Sequence, residues 1–265
     1  MNALEQSGGK NRAKNLVDRV ANASAFGAEV VEAALKSGAE IVFSGSIGKR
    51  EGGVLLLGDG TKKIALNANM TDARLTTALV RLSRTVMQGG ERLQQMSVKS
   101  ALLTARARTA DAVAHEAAAA YEMRSSDPEA YQAFFDKNTK IAGVYFYTRH
   151  ESGNEAKAME QAVRAWYDSP EKVAASDEAV MTYMIKTRHE KAAGIEMSPE
   201  KLEKIFDRDG KSYVGRGFLQ SAKAAALSDD LAARAANVEK VRRIENNVST
   251  ARLVGAAFDG RRSGR

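Results

Sequence analysis

The chain has 265 residues, 44% of them hydrophobic, which is enough to bury a core and excludes disorder throughout. It contains no cysteine, so disulfides, thiolate zinc sites and a cysteine nucleophile are excluded. A net charge of +7 arises from 40 basic and 33 acidic side chains that are largely interspersed, which predicts a solvated mixed surface rather than a footprint for nucleic acid or membrane.

No apolar run approaches the roughly 18 residues needed to span a bilayer. The opening MNALEQSGGKNRAK lacks an apolar signal stretch, so the expected location is the cytoplasm. Basic residues without intervening acids collect only near the ends, at Lys10, Arg12 and Lys14 and at Arg261, Arg262 and Arg265. Nucleic-acid binding through these termini is a subordinate reading, and it carries the expectation of steep salt dependence.

In chain order, a polar leader over 1–11 gives way to apolar residues at helical spacing over 12–36 (Leu16, Val20, Ala23, Phe26, Val30, Val31, Ala34). This predicts one helix with a weak point at Gly27 and a stop at Ser37-Gly38. Residues 39–67 change character: AEIVFSG, GGVLLLG and KKIALNA are short aliphatic runs divided by Gly-rich turns, and they predict a small antiparallel sheet of about three strands. From Thr71 the pattern is helical, with helices predicted over 71–88, 92–124, 128–137, 154–168, 170–192, 199–206 and 229–257. The three prolines, Pro128, Pro170 and Pro199, each follow Asp or Ser and mark helix entrances. The fold class is α+β, predominantly α: a small sheet followed by a helical bundle. Apolar positions of the last helix (Leu231, Ala235, Val238, Val241, Ile244, Val248, Leu253) fit packing on the same chain or on a second one.

Each histidine is followed by glutamate, as in the helical zinc signature H-E-x-x-H, but each half-motif lacks its partner: Ala119 stands four residues after His115, Asn154 after His150 and Ala193 after His189. SGSIGKREGG is too closely spaced in glycine for a phosphate loop and reads as a hairpin turn. DRDGKSY resembles a calcium loop, but its glycine comes early and no glutamate closes it, so it reads as a turn. Tyr145, Phe146, Tyr147, Trp166 and Tyr167 read as packing residues, because no basic residues alternate with them.

Arg108, Asp111, His115 and Glu122 form a polar stripe on one helix, beside an apolar stripe of Leu103, Ala107, Ala110, Ala114, Ala117 and Tyr121. A solvated face with i,i+4 pairing accounts for it. The alternative places Asp111 and His115 in a buried polar cleft, with Asp111, His115 and Glu122 as acid, base or metal-binding groups. One helix alone does not surround a metal.

The order of strands and helix around KKIALNANMTDARL and TTALVRLSRTVMQ, with similarity in TADAVAHEAAAAYEM, DPEAYQAFFDKNTKIAG and AWYDSPEKVAASDEAVMTYM, resembles an uncharacterised bacterial family of zincin-like metallopeptidases. The resemblance spans roughly residues 40–190. Its members carry a helix pattern like A-H-E-x-R-H-x-x-Q. Against that pattern Arg84 and Gln88 match, while Arg81 and Thr85 replace the two histidines and Leu82 replaces the glutamate. The resemblance implies a zincin-like α+β domain, expected over 12–206; the loop DRDGKSYVGRG over 207–217, after which the chain becomes Ala-rich and basic, sets off a C-terminal helical region over 218–257 and a basic tail over 258–265.

Arginine stays protonated and does not ligate a metal, and leucine is no base. The expectation is a degenerate site with no catalytic residue, no metal and no cofactor, in which Arg81 either pairs with Asp111, joined by His115 and Thr85, or projects into solvent. The leading functional reading is a non-catalytic, metallopeptidase-like pseudoenzyme that binds a protein partner. A second reading is an exported bacterial effector whose basic tail (Arg261, Arg262, Arg265) serves a signal-peptide-independent secretion system. A third is a hydrolase using Asp111, His115 and Glu122.

Overall fold

Ser24 interrupts the first helical segment, three residues before the glycine at which a weak point was expected. Its backbone is extended (φ −152°, ψ 114°) and its Oγ accepts from Gly27 N, so it caps a new helix. The result is two helices, α1 (Ala3–Ala23) and α2 (Ala25–Lys36), and α1 begins nine residues before the expected start at 12. The computed structural model describes residues 3–56, 60–89, 92–188 and 194–259, with the backbone alone described for 3–8, 56 and 246–259.

Three strands follow: β1 (Ala39–Ser44), β2 (Gly52–Leu56) and β3 (Lys62–Asn67). Their order is β1-β3-β2, with β2 antiparallel and β1 parallel to β3. The sheet is thus mixed rather than wholly antiparallel, and SGSIGKREGG crosses between its two edges instead of closing a hairpin. The physical reason is burial: Ile64, Ala65 and Leu66 of β3 are all buried, as a central strand requires.

The helices are α3 (Asp72–Met87), α4 (Val98–Ser126), α5 (Pro128–Lys137), α6 (Thr139–Ser152), α7 (Glu155–Tyr167), α8 (Pro170–Lys186), α9 (Pro199–Glu203), the short α10 (Arg216–Leu219) and α11 (Ala222–Ala225), and α12 (Asp229–Asp259). The fold class is α+β, mostly α. Helix α6 was not predicted, because TKIAGVYFYTRH is rich in β-branched and aromatic residues of low helix propensity. Burial of Ile141, Ala142 and Tyr145 overrides that preference. Among the expected packing aromatics, Tyr145, Trp166 and Tyr167 are buried, whereas Tyr147 is 70% exposed. The DRDGKSY stretch forms a two-stranded hairpin, β4 (Asp207–Arg208) and β5 (Lys211–Ser212), whose turn residues Asp209 and Gly210 both have positive φ (55° and 78°).

The chain divides into two units, and the division falls within α4. The first comprises Met1–Gly89, Arg108–Ser169 and Ile205–Val214, and so holds the sheet, α1 to α3, most of α4, α5 to α7 and the β4–β5 hairpin. Arg12 ties α1 to the turn after β3, donating to Asp72 Oδ1 (2.8 Å), Ala68 O (2.8 Å) and Met70 O (2.6 Å). Arg19 makes a bidentate pair with Asp127, the cap of α5. The second unit has its own apolar core, in which Met96, Val98, Ala101 and Leu102 pack with Val180, Met181 and Met184 of α8 and with Leu231 and Ala235 of α12. A buried bidentate pair joins Arg106 to Asp177, both bonds at 2.7 Å.

Candidate functional site

Thr77, Arg81 and Arg84 of α3 and Gln88 at its C-cap recur at spacings of four, three and four, so they share one face of the helix. That face meets two carboxylates of α4. Thr77 Oγ1 donates to Glu116 Oε1 at 3.1 Å, and Arg81 Nε lies 3.1 Å from Glu116 Oε2, an ion pair off the hydrogen-bonding line. Farther along α3, Arg84 Nε donates to Asp111 Oδ2 at 2.6 Å and Gln88 Nε2 to the same oxygen at 2.7 Å. The two helices are joined by a buried seam, each carboxylate held by two side chains of α3.

The carboxylate of Asp111 has no exposure and takes a third partner, the Tyr213 hydroxyl, at 2.5 Å. Tyr213 follows the β4–β5 hairpin, so the hairpin is anchored to α4 through this bond. Burial and then the negative charge of Asp111 hold the Tyr213 pKa well above 10, which keeps the hydroxyl a donor. Burial acts to lower the pKa of Arg84, but the charge of Asp111 outweighs it and the net shift is upward. Arg84 also donates to Ile205 O at 2.9 Å.

His115 lies one turn beyond Asp111, with Nδ1 at 2.9 Å from the Asp111 carbonyl. Burial lowers its pKa to about 4, against an upward pull from Asp111. The imidazole is therefore neutral at physiological pH. Phe26 and Tyr213 flank it, with ring centroids at 5.5 and 6.3 Å.

The expected Arg81–Asp111 pair is not formed. Arg84, one turn further along α3, takes Asp111, and Arg81 lies between Glu116 and Glu51 (Nη2 to Oε2, 3.2 Å). Lys137 of α5 also reaches Glu51, at 2.6 Å. Burial raises the pKa of Glu51, but the two cations outweigh it and the net shift is downward. Thr85 is exposed and bonds only its own helix, through Arg81 O at 3.0 Å, so it does not join the cluster. Leu82 is buried at 3% exposure.

Glu122 does not converge with Asp111 and His115. Its Oε2 accepts from Ser24 Oγ at 2.8 Å and Phe26 N at 3.0 Å, which completes the cap of α2. Of the polar stripe, Asp111 and His115 are buried, at no more than 3% exposure, while Arg108 is half-buried and Glu122 exposed, so only its middle is withdrawn from solvent. His150 is exposed at the end of α6, and His189, like Arg261, Arg262 and Arg265, lies outside the described residues. Among the described residues no three His, Asp or Glu side chains converge as metal ligands, and no helix is long and apolar enough to cross a membrane. Sequence reasoning missed Glu51 and Tyr213, which are far from α3 in the chain; the 4-3-4 spacing of Thr77, Arg81, Arg84 and Gln88 was the available signal for the seam.

A family model, "Putative metallopeptidase family (DUF6782)", matches residues 2–205. No curated protein and no solved structure matches the chain.

Proposed function

We propose that this chain, which belongs to the putative metallopeptidase family, is a non-hydrolytic member that keeps the scaffold and acts by binding another protein. The observation that carries this reading is Arg81, set between Glu116 and Glu51 at 3.1 and 3.2 Å. It stands where the resemblance expects the first histidine ligand. A guanidinium does not give up its proton to ligate a metal, and here it neutralises the carboxylates that a cation would otherwise attract. Leu82 in place of the glutamate offers no base for a metal-bound water, and the exposed Thr85 hydroxyl is committed to its own helix. The residues present do not fit a catalytic zinc. What remains is a packed scaffold whose former ligand face is internally neutralised, and binding is the activity such a scaffold retains.

The test is zinc content by inductively coupled plasma mass spectrometry, on protein purified without chelator and dialysed after zinc loading, with casein cleavage measured in parallel. Substoichiometric zinc and no cleavage are expected for the natural sequence. One tightly held zinc per chain with zinc-dependent cleavage would overturn the reading. The triple variant Arg81→His, Leu82→Glu, Thr85→His is expected to gain zinc affinity, which would locate the lost site.

A further inference from the structure

The ring of His115 makes one hydrogen bond. Nδ1 faces the Asp111 carbonyl; a carbonyl only accepts, so Nδ1 carries the proton and Nε2 is a lone-pair acceptor. No donor among the described residues meets Nε2, although the side chain is only 3% exposed. The imidazole instead lines a cleft of about 200 Å³. Phe26, Val30, Ala33 and Met87 give this cleft apolar walls, and Asp207, at the base of the hairpin, borders it as well. Asp207 Oδ1 is withdrawn from water and also has no hydrogen-bond donor. A buried acceptor left without a donor, as Asp207 Oδ1 is, is costly and calls for a partner.

The charges around the cleft indicate what kind of partner. Arg84 and Arg208 border it, but Arg84 is held by Asp111. Arg208 is paired with Glu155 and has Glu29 and Asp209 within 3.9 and 3.8 Å. With Asp207, these carboxylates outnumber the two guanidiniums, so the cleft favours a cation. A metal ion fits poorly, because among the described residues no three His, Asp or Glu groups converge. An ammonium group needs only acceptors for its N–H bonds, and an apolar wall suits the chain that carries it. The low pKa of His115 keeps Nε2 an acceptor at neutral pH.

We propose that this cleft binds a primary alkylammonium group, with His115 Nε2 and the Asp207 carboxylate accepting its N–H donors and Phe26, Val30 and Met87 covering its chain. The same chemistry is presented by a free alkylamine and by the lysine side chain of a protein. The site is separate from the Arg81 cluster and does not depend on whether zinc chemistry has been lost.

The test uses the full chain labelled with ¹⁵N-histidine and titrated with n-butylammonium chloride at constant ionic strength, with n-butanol as the uncharged control. A saturable shift of the His115 Nε2 resonance is expected, with a Kd on the order of 1 mM for so small a probe. Butanol is expected to give little response, and Asp207→Asn to weaken butylammonium by about tenfold through loss of a charge-assisted bond. Absence of a saturable shift, an equal response to butanol, or undiminished affinity in a folded Asp207→Asn variant overturns the proposal. Nα-acetyl-lysine N-methylamide then separates the sources. Affinity equal to that of butylammonium points to a protein lysine, and butylammonium binding alone points to a free amine, the ammonium site standing in either case.

Discussion

Arg84 Nε lies 2.6 Å from Asp111 Oδ2, and the carboxylate it meets has no contact with solvent. Two charges removed from water in this way stabilise each other only while both are present. Asp111→Ala leaves a mostly buried guanidinium without its counter-ion, and strips the Tyr213 hydroxyl and the Gln88 amide of an acceptor. The expected loss is about 3–5 kcal/mol in urea unfolding. Adding Arg84→Met to Asp111→Ala is expected to recover part of it, and simple additivity of the two losses would show that the residues do not act as a unit.

The neutral His115 imposes a pH dependence. Its pKa falls from 6.5 to about 4 on folding, because burial disfavours the imidazolium. Between those values the unfolded chain binds a proton that the folded chain refuses, so stability declines as pH falls from 6.5 towards 4. Above pH 6.5 both states are neutral here and the site contributes no slope. The full decline is roughly 3 kcal/mol. His115→Phe is expected to flatten this part of the profile in denaturant titrations, and an unchanged acid slope in that variant would refute the assignment.

Gly52 and Gly53 open β2 side by side and face different surroundings. A Cβ added at Gly52 would stand 2.4 Å from Ala65 O and 2.8 Å from Leu82 Cδ1, whereas one at Gly53 meets nothing within 4 Å. Gly52→Ala is expected to cost about 1–3 kcal/mol by overpacking. Gly53→Ala is expected to change stability by no more than about 0.5 kcal/mol. Thermal unfolding of the two variants checks the contrast.

Glu122 has a structural task. Its Oε2 accepts from Ser24 Oγ and Phe26 N at the start of α2. Glu122→Ala leaves both donors without their acceptor and is expected to cost about 1–3 kcal/mol. In a Ser24→Ala background the cost is expected to shrink, and a double-mutant cycle by urea unfolding measures the coupling.

Local chemistry made much of this protein legible in its sequence. Prolines after Asp or Ser marked the entrances of α5, α8 and α9, aliphatic runs between glycines marked the three strands, and 3.6-residue periodicity marked the long helices, because each signal acts through neighbours in the chain. The helix pattern around Arg81, Leu82, Arg84, Thr85 and Gln88 likewise pointed to the family. Position alone did not reveal partners. Whether Arg81 or Arg84 reaches Asp111 depends on the rotation and spacing of α3 against α4, which sequence periodicity leaves open by a turn. The parallel pairing of β1 with β3, the helical state of TKIAGVYFYTRH, and the arrival of Glu51 and Tyr213 at the seam follow from burial and from contacts far apart in the chain. Sequence therefore fixed which groups were available, and the tertiary structure decided which charges meet, because pairing across helices depends on a geometry that no single segment encodes.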